Sequence, residues 1–182
     1  MNNNPQKLNN DDAAADTNKL ARLFIWLSWC LGLLLMVYVF QDVLDDQQNP
    51  NRSPENSYAD SGQAEVILQQ NRQGHYLVKG EINRSSVTFL LDTGATHVSI
   101  PEGVAETLQL SHQGNYPVNT ANGRVIVIKT RIKELRIGSI VLYDVAANIN
   151  PGMKSNEILL GMSALKRVEF SQRGKELTLR EY

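Results

Sequence analysis

Between Leu23 and Phe40 the chain runs for 18 residues (LFIWLSWCLGLLLMVYVF) without a charged side chain. Wound as an α-helix, this stretch reaches about 27 Å, close to the hydrocarbon thickness of a bilayer. A cleaved signal peptide is the competing reading, but its apolar region spans roughly 7 to 15 residues and ends at a small-residue cleavage site. Here Gln41-Asp42-Val43-Leu44-Asp45-Asp46 follows, so residues 23–40 are read as a transmembrane helix. Lys19 and Arg22 precede it, and Asp42, Asp45 and Asp46 follow it. By the positive-inside rule this places the amino terminus in the cytoplasm and exports the bulk of the chain. Trp26 and Tyr38 lie near the two ends, where amphipathic rings prefer to sit. Ser28 and Gly32 form a small-xxx-small pair that could let two helices approach.

The flanks of this span are polar. Met1 to Thr17 is mostly Asn, Asp, Gln and Ala, with Leu8 its one large apolar side chain after Met1, and residues 1–22 are expected to be a disordered cytoplasmic tail. Residues 41–64 are rich in Asn, Gln, Asp, Ser and Pro without an apolar period, the composition of a flexible tether. That leaves residues 65–182 for one folded domain, an ordinary domain length. Residues 1–64 carry 4 basic and 8 acidic side chains and residues 65–182 carry 14 and 11. Neither balance argues for nucleic acid. Cys30 is the single cysteine, which excludes an internal disulfide and a thiolate metal cluster.

Residues 65–182 read as short β-rich runs: 65–69, 75–82, 87–91, 98–100, 125–132, 135–137, 140–147 and 158–160, punctuated by turn residues at 71–74, 83–85, 122–123 and 138–139. One short helix is expected over residues 102–108, with Pro101 at its start. A last hairpin joins 168–170 to 176–179 through Gln172-Arg173-Gly174-Lys175. The fold class is mainly β.

The string that carries chemistry is Phe89-Leu90-Leu91-Asp92-Thr93-Gly94-Ala95-Thr96, an apolar strand running directly into a carboxylate. An acid at the end of a buried strand is costly unless it is paired. Gly94 lets the backbone approach the carboxylate, and its N–H and the Thr96 hydroxyl are donors suited to the ionised form. The bland reading is a strand-end turn in which Asp92 caps local N–H groups.

Asp92-Thr93-Gly94-Ala95-Thr96 resembles the active-site motif of the retroviral-type aspartic proteases, the retropepsins. Downstream, Ile158-Leu159-Leu160-Gly161 resembles the family's apolar-apolar-Gly segment, which crosses behind the catalytic loop. The following Met162-Ser163-Ala164-Leu165 is similar to bacterial membrane-anchored members. Residues 116–128, with Asn122-Gly123 at the centre, read as a hairpin with a two-residue turn, where the family places its flap. The resemblance covers residues 65–182 and implies a single closed, mostly antiparallel β lobe of the acid-protease fold, with one short helix. Pepsin-type enzymes carry two such motifs in one chain. This chain carries one Asp-Thr-Gly.

The resemblance further implies that Asp92 is catalytic and that Thr93 locks two catalytic loops across a two-fold axis in a homodimer. It makes Thr93, Gly94, Ala95 and Thr96 the active-site loop, Thr120, Ala121, Asn122 and Gly123 the flap over a peptide substrate, and Leu160 and Gly161 the support of the loop. It implies a bacterial host, so the exported domain is expected to be periplasmic or otherwise extracytoplasmic, tied to the inner (cytoplasmic) membrane. In retropepsins the terminal segments interleave in the dimer, and here 65–69 and 177–180 are the candidates. No metal or other cofactor is expected, since His75 and His112 have no ligand-type residue at suitable spacing. His97 stands where viral enzymes commonly have an acid, and it could modulate the carboxylates or simply be solvated. Lys129-Thr130-Arg131-Ile132-Lys133 alternates as the wet face of a strand does. Gly161-Met162-Ser163 lacks the second glycine of a nucleophile elbow. A non-catalytic dimerisation or peptide-binding module on the same fold is the alternative function.

Overall fold

The computed structural model describes residues 11–58, 62–120 and 123–182. It divides into two units, residues 1–44 and 45–182. The first is built on helix α1 (Asp11–Gln48). From Lys19 to Gln41 this helix is long and apolar enough to cross a membrane, and none of it is buried. Within it the Ser28 Oγ donates to the Phe24 carbonyl at 2.8 Å, which satisfies a hydroxyl inside an apolar stretch.

The helix begins earlier than the composition of residues 1–17 suggests. Ala13, Ala14 and Ala15 are strong helix formers, and extending an existing helix avoids the cost of nucleation. The first ten residues lie outside the described residues. Residues 41–64 also hold more structure than a tether. After the end of α1, Asn51 is 3% exposed. Its Nδ2 donates to the carbonyls of Gln69 and Leu77 at 2.9 and 2.6 Å, and its Oδ1 accepts from the Gln69 N–H at 2.7 Å. Strand β1 (Glu55–Tyr58) then pairs with β2 (Ala64–Gln69). A carboxamide can pin a polar segment to a sheet without apolar side chains, so a search for hydrophobic periodicity passes over it.

The remaining strands follow the β-rich reading. They are β3 (Leu77–Ile82), β4 (Ser85–Leu91), β5 (Val98–Pro101), β6 (Asn115–Thr120), β7 (Gly123–Ile137), β8 (Ile140–Asn150), β9 (Ile158–Leu160), β10 (Val168–Arg173) and β11 (Glu176–Glu181), with short helices α2 (Glu102–Thr107) and α3 (Met162–Leu165). The two runs expected at 125–132 and 135–137 are one strand, because β8 pairs with β7 on both sides of Lys133 in a single register. Helix α3 is an addition, a single turn opened by Gly161.

One sheet has the order β3-β4-β9-β5-β8-β7-β6, and a further pairing of β3 with β7 joins Glu81 to Arg136 and Ile82 to Leu135. Six strands thereby close on themselves, with β6 left as an outrigger on β7. Gly80 permits the closure, since a Cβ there would stand 2.3 Å from the Arg136 carbonyl oxygen. Phe89, Ile100, Ile132, Leu135, Ile149, Ile158, Leu160 and Leu165 fill the interior, all fully buried. Among the described residues, eight of the ten strand pairings are antiparallel; β4 with β9 and β5 with β8 are parallel.

The second sheet, β1-β2-β11-β10, corrects an expectation. The segments 65–69 and 177–180, candidates for interleaving with a second chain, pair with each other within this one, from Gln69 opposite Glu176 to Glu65 opposite Arg180. The pairing is secured by the Arg180 guanidinium, which donates to Glu65 Oε2 at 2.6 Å. That hydrogen bond and the Glu65 charge, with a smaller push from Glu169, raise Arg180 above its ordinary pKa. The open edges of this sheet are β1 and β10.

Candidate active site

Asp92 leaves the end of β4 where β9 runs between β4 and β5. Its backbone N–H donates to the Leu160 carbonyl at 3.2 Å, and the Ala95 N–H donates back to the Asp92 carbonyl at 3.2 Å, closing a tight turn. The Gly94 N–H donates to Asp92 Oδ1 at 2.9 Å, which fixes the carboxylate's orientation. No hydrogen bond among the described residues joins the Thr96 hydroxyl to that carboxylate, so the second expected donor does not serve it; Thr96 lies on the rim of the groove instead. Asp92 is half-buried while Thr93 and Gly94 are exposed.

Behind the loop stands Gly161. The Met162 and Ser163 N–H groups donate to the Ala95 and Thr96 carbonyls at 2.8 and 3.0 Å. A Cβ on Gly161 would stand 2.3 Å from the His97 oxygen and 2.6 Å from the Ala95 oxygen. The Ser163 Oγ accepts from the Val98 N–H at 2.9 Å and donates to the Ala146 carbonyl at 2.6 Å, stitching α3 to β5 and β8. Ser163 is a positioning residue that motif reading identified only by its place after Gly161.

The hairpin of β6 and β7 faces this loop across a groove of about 500 Å³. Val118, Asn119, Thr120 and Val125 form the hairpin wall and Asp92, Gly94, Ala95, Thr96 and His97 the loop wall. Asp92 is the one carboxylate lining it among the described residues. The hairpin is shifted from the expected register. Thr120 pairs with Gly123, and the Thr120 Oγ1 donates to the Gly123 carbonyl at 2.8 Å. Gly123 therefore belongs to β7 and not to a turn at 122–123; residues 121 and 122 lie outside the described residues. Gly123 has φ of 106°, a conformation a β-branched residue resists.

Sequence reading missed the far wall of the groove, formed by Ser99, Asn148, Asn150, Gly152, Met153 and Leu159. Its one signal is the alternation of Asn148 and Asn150 with Ala147 and Ile149 in a strand. His97 is half-buried and lines both this groove and a neighbouring cavity of about 410 Å³ beside Lys129 and Arg131. Arg131 pairs with Asp144 at 2.6 Å.

A closed β lobe whose single Asp-Thr-Gly loop is backed by an apolar-apolar-Gly segment and faced by a hairpin is the architecture of one aspartic-protease lobe. Residues 78–167 match the family described as "gag-polyprotein putative aspartyl protease". The chain is 32% identical over 174 residues to an uncharacterized protein in the cobV 5' region of Sinorhizobium sp., covering 89% of this chain and 73% of that one. It is 27% identical over 126 residues to an uncharacterized protein of Rickettsia prowazekii, covering 65% of this chain and 52%, about half, of that one. The crystal structure of a retropepsin-like aspartic protease from Rickettsia conorii shares the fold, with a TM-score of 0.54 at 22% identity over 71% of this chain and 94% of that one. The chain belongs to the retropepsin-like aspartic protease family.

Proposed function

We propose that this protein is a membrane-anchored, homodimeric aspartic endopeptidase. The observation that carries the reading is the half-buried Asp92 carboxylate, held by the Gly94 N–H in a peptide-sized groove that contains no second carboxylate among the described residues. Peptide hydrolysis by this chemistry needs two acids sharing one proton. The ionised one takes a proton from water as that water attacks the scissile carbonyl. The protonated one donates to the carbonyl oxygen; as the tetrahedral intermediate collapses, the proton taken from water passes to the leaving nitrogen and a hydroxyl proton returns to the other carboxylate, which releases the amine and the new carboxylic acid. One chain supplies one acid, so a second copy related by a two-fold axis supplies the other. Exposed Thr93 is available to bond across that axis. The hairpin with Thr120, Ala121, Asn122 and Gly123 folds over the substrate, and Leu160 and Gly161 hold the loop.

Helix α1 supplies the anchor. Lys19 and Arg22 before the apolar stretch and Asp42, Asp45 and Asp46 after it favour a cytoplasmic amino terminus, with the β lobe on the periplasmic or extracytoplasmic side of the inner membrane. The test is cleavage of a peptide library by the full-length chain in detergent, with and without a pepstatin-type inhibitor. Inhibitor-sensitive cleavage is expected; a verified dimer that cleaves nothing, or cleaves equally with inhibitor present, would contradict the reading.

A further inference from the structure

The groove over Asp92 has a polar far wall that the chemistry of hydrolysis does not use. Strand alternation makes it. Val98 and Ile100 on β5 and Ala147 and Ile149 on β8 turn into the core, so Ser99, Asn148 and Asn150 turn the other way and line the groove. Parallel pairing of β5 with β8 sets Ser99 beside Asn148. These three residues are 6%, 6% and 8% exposed.

Their hydrogen bonds do not close among themselves. The Gly152 N–H donates to Asn150 Oδ1 at 2.9 Å. A backbone N–H can only donate, so this bond fixes the amide and leaves Nδ2, with two hydrogens, without an acceptor among the described residues. The Ser99 Oγ donates to Asn148 Oδ1 at 2.8 Å and lies 3.4 Å from the Met153 sulfur. The Asn148 Nδ2 likewise meets no acceptor among the described residues. The buried side-chain atoms without a partner among the described residues are Tyr76 Oη and Thr130 Oγ1, so the two amide nitrogens are open to the groove and face the space a substrate would occupy.

We propose that Ser99, Asn148 and Asn150 form a subsite for a carboxamide side chain, asparagine or glutamine, of the peptide substrate; this rests on the endopeptidase reading of the groove. The carboxamide oxygen accepts from Asn150 Nδ2. Its NH2 donates to the lone pairs left on Ser99 Oγ and Asn148 Oδ1. Leucine, of similar size, leaves the donors dry. A carboxylate adds a negative charge near Asp92 on a groove lined by no lysine or arginine among the described residues.

The experiment measures binding to the full-length Asp92→Asn chain in detergent by fluorescence anisotropy. Peptides are identical except for one position, swept along the sequence and occupied in turn by Gln, Leu or Glu. At one position Gln is expected to bind about tenfold or more tighter than Leu and Glu. Adding Asn150→Asp keeps an oxygen for the Gly152 N–H but replaces the donor by an acceptor, and should cancel that advantage; adding Ser99→Ala should reduce it. If no position favours Gln by more than about twofold, or if the advantage survives Asn150→Asp, the subsite is overturned. Cleavage of the same peptides by the wild-type chain separates the two claims. A Gln preference in binding without any cleavage supports the subsite and overturns the endopeptidase, whereas cleavage with flat binding overturns the subsite alone.

Discussion

Gly161 and Asp92 are read from contiguous motifs, and the structure shows why a motif could hold that information. The Asp92 turn is stabilised by its own N–H groups, and the loop packs against one glycine without room for a Cβ. Gly161→Ala should therefore push the His97 and Ala95 carbonyls away, destabilising the fold by about 2–3 kcal/mol. It should also lower kcat/KM by more than the loss of folded protein explains. Denaturant unfolding and peptide kinetics on the same preparation would check this; an unchanged midpoint and rate would contradict the packing argument. Ser99, Asn148 and Asn150 were not legible as site residues. They are 49 or more positions apart from serine to asparagine, and only the parallel pairing of β5 with β8 brings them together. Periodicity assigns residues to a face of a strand but does not say which other strand that face meets.

At the scale of elements, strands with clear alternation were recovered to within a few residues, and β9 was recovered as Ile158–Leu160. What escaped was structure held by polar side chains. β1 has no apolar period, and Asn51 docks the preceding segment through a carboxamide. The β6–β7 hairpin shows the limit of turn chemistry: Asn122-Gly123 marks a turn, yet Gly123 pairs with Thr120 as part of β7. Gly123 keeps its importance through its positive φ. Gly123→Val should strain the hairpin and lower kcat/KM about tenfold while changing domain stability less, since the site is at a solvent-exposed tip. Turnover equal to wild type would remove the hairpin from the mechanism. For α1 the measurable claim is orientation. A reporter active only outside the cytoplasm, fused after Tyr182, should be active; a silent reporter, with a cytoplasmic one working at the same point, would invert the topology.

For the whole molecule, the proposed mechanism makes assembly part of the active site, because the groove is lined by one carboxylate among the described residues. Specific activity of the purified chain should rise with its concentration until dimers saturate, and confinement by the anchor should raise the effective concentration of one lobe for its partner. Constant activity from a chain shown to be monomeric by sedimentation would contradict the shared pair. The intrachain pairing of β2 with β11 leaves β1 and β10 as the sheet edges a partner could extend, a result of register that composition could not foretell. The central claim is that two copies of Asp92 perform the hydrolysis. The measurement that meets it most directly is kcat/KM against pH for the wild-type chain and for Asp92→Asn, each verified as a dimer. At low pH both carboxyls hold a proton and no base remains; at high pH both are ionised and no acid remains. The wild type should trace a bell and Asp92→Asn should be inactive throughout, whereas an Asp92→Asn dimer that cleaves with the wild-type profile would show that another residue does the chemistry.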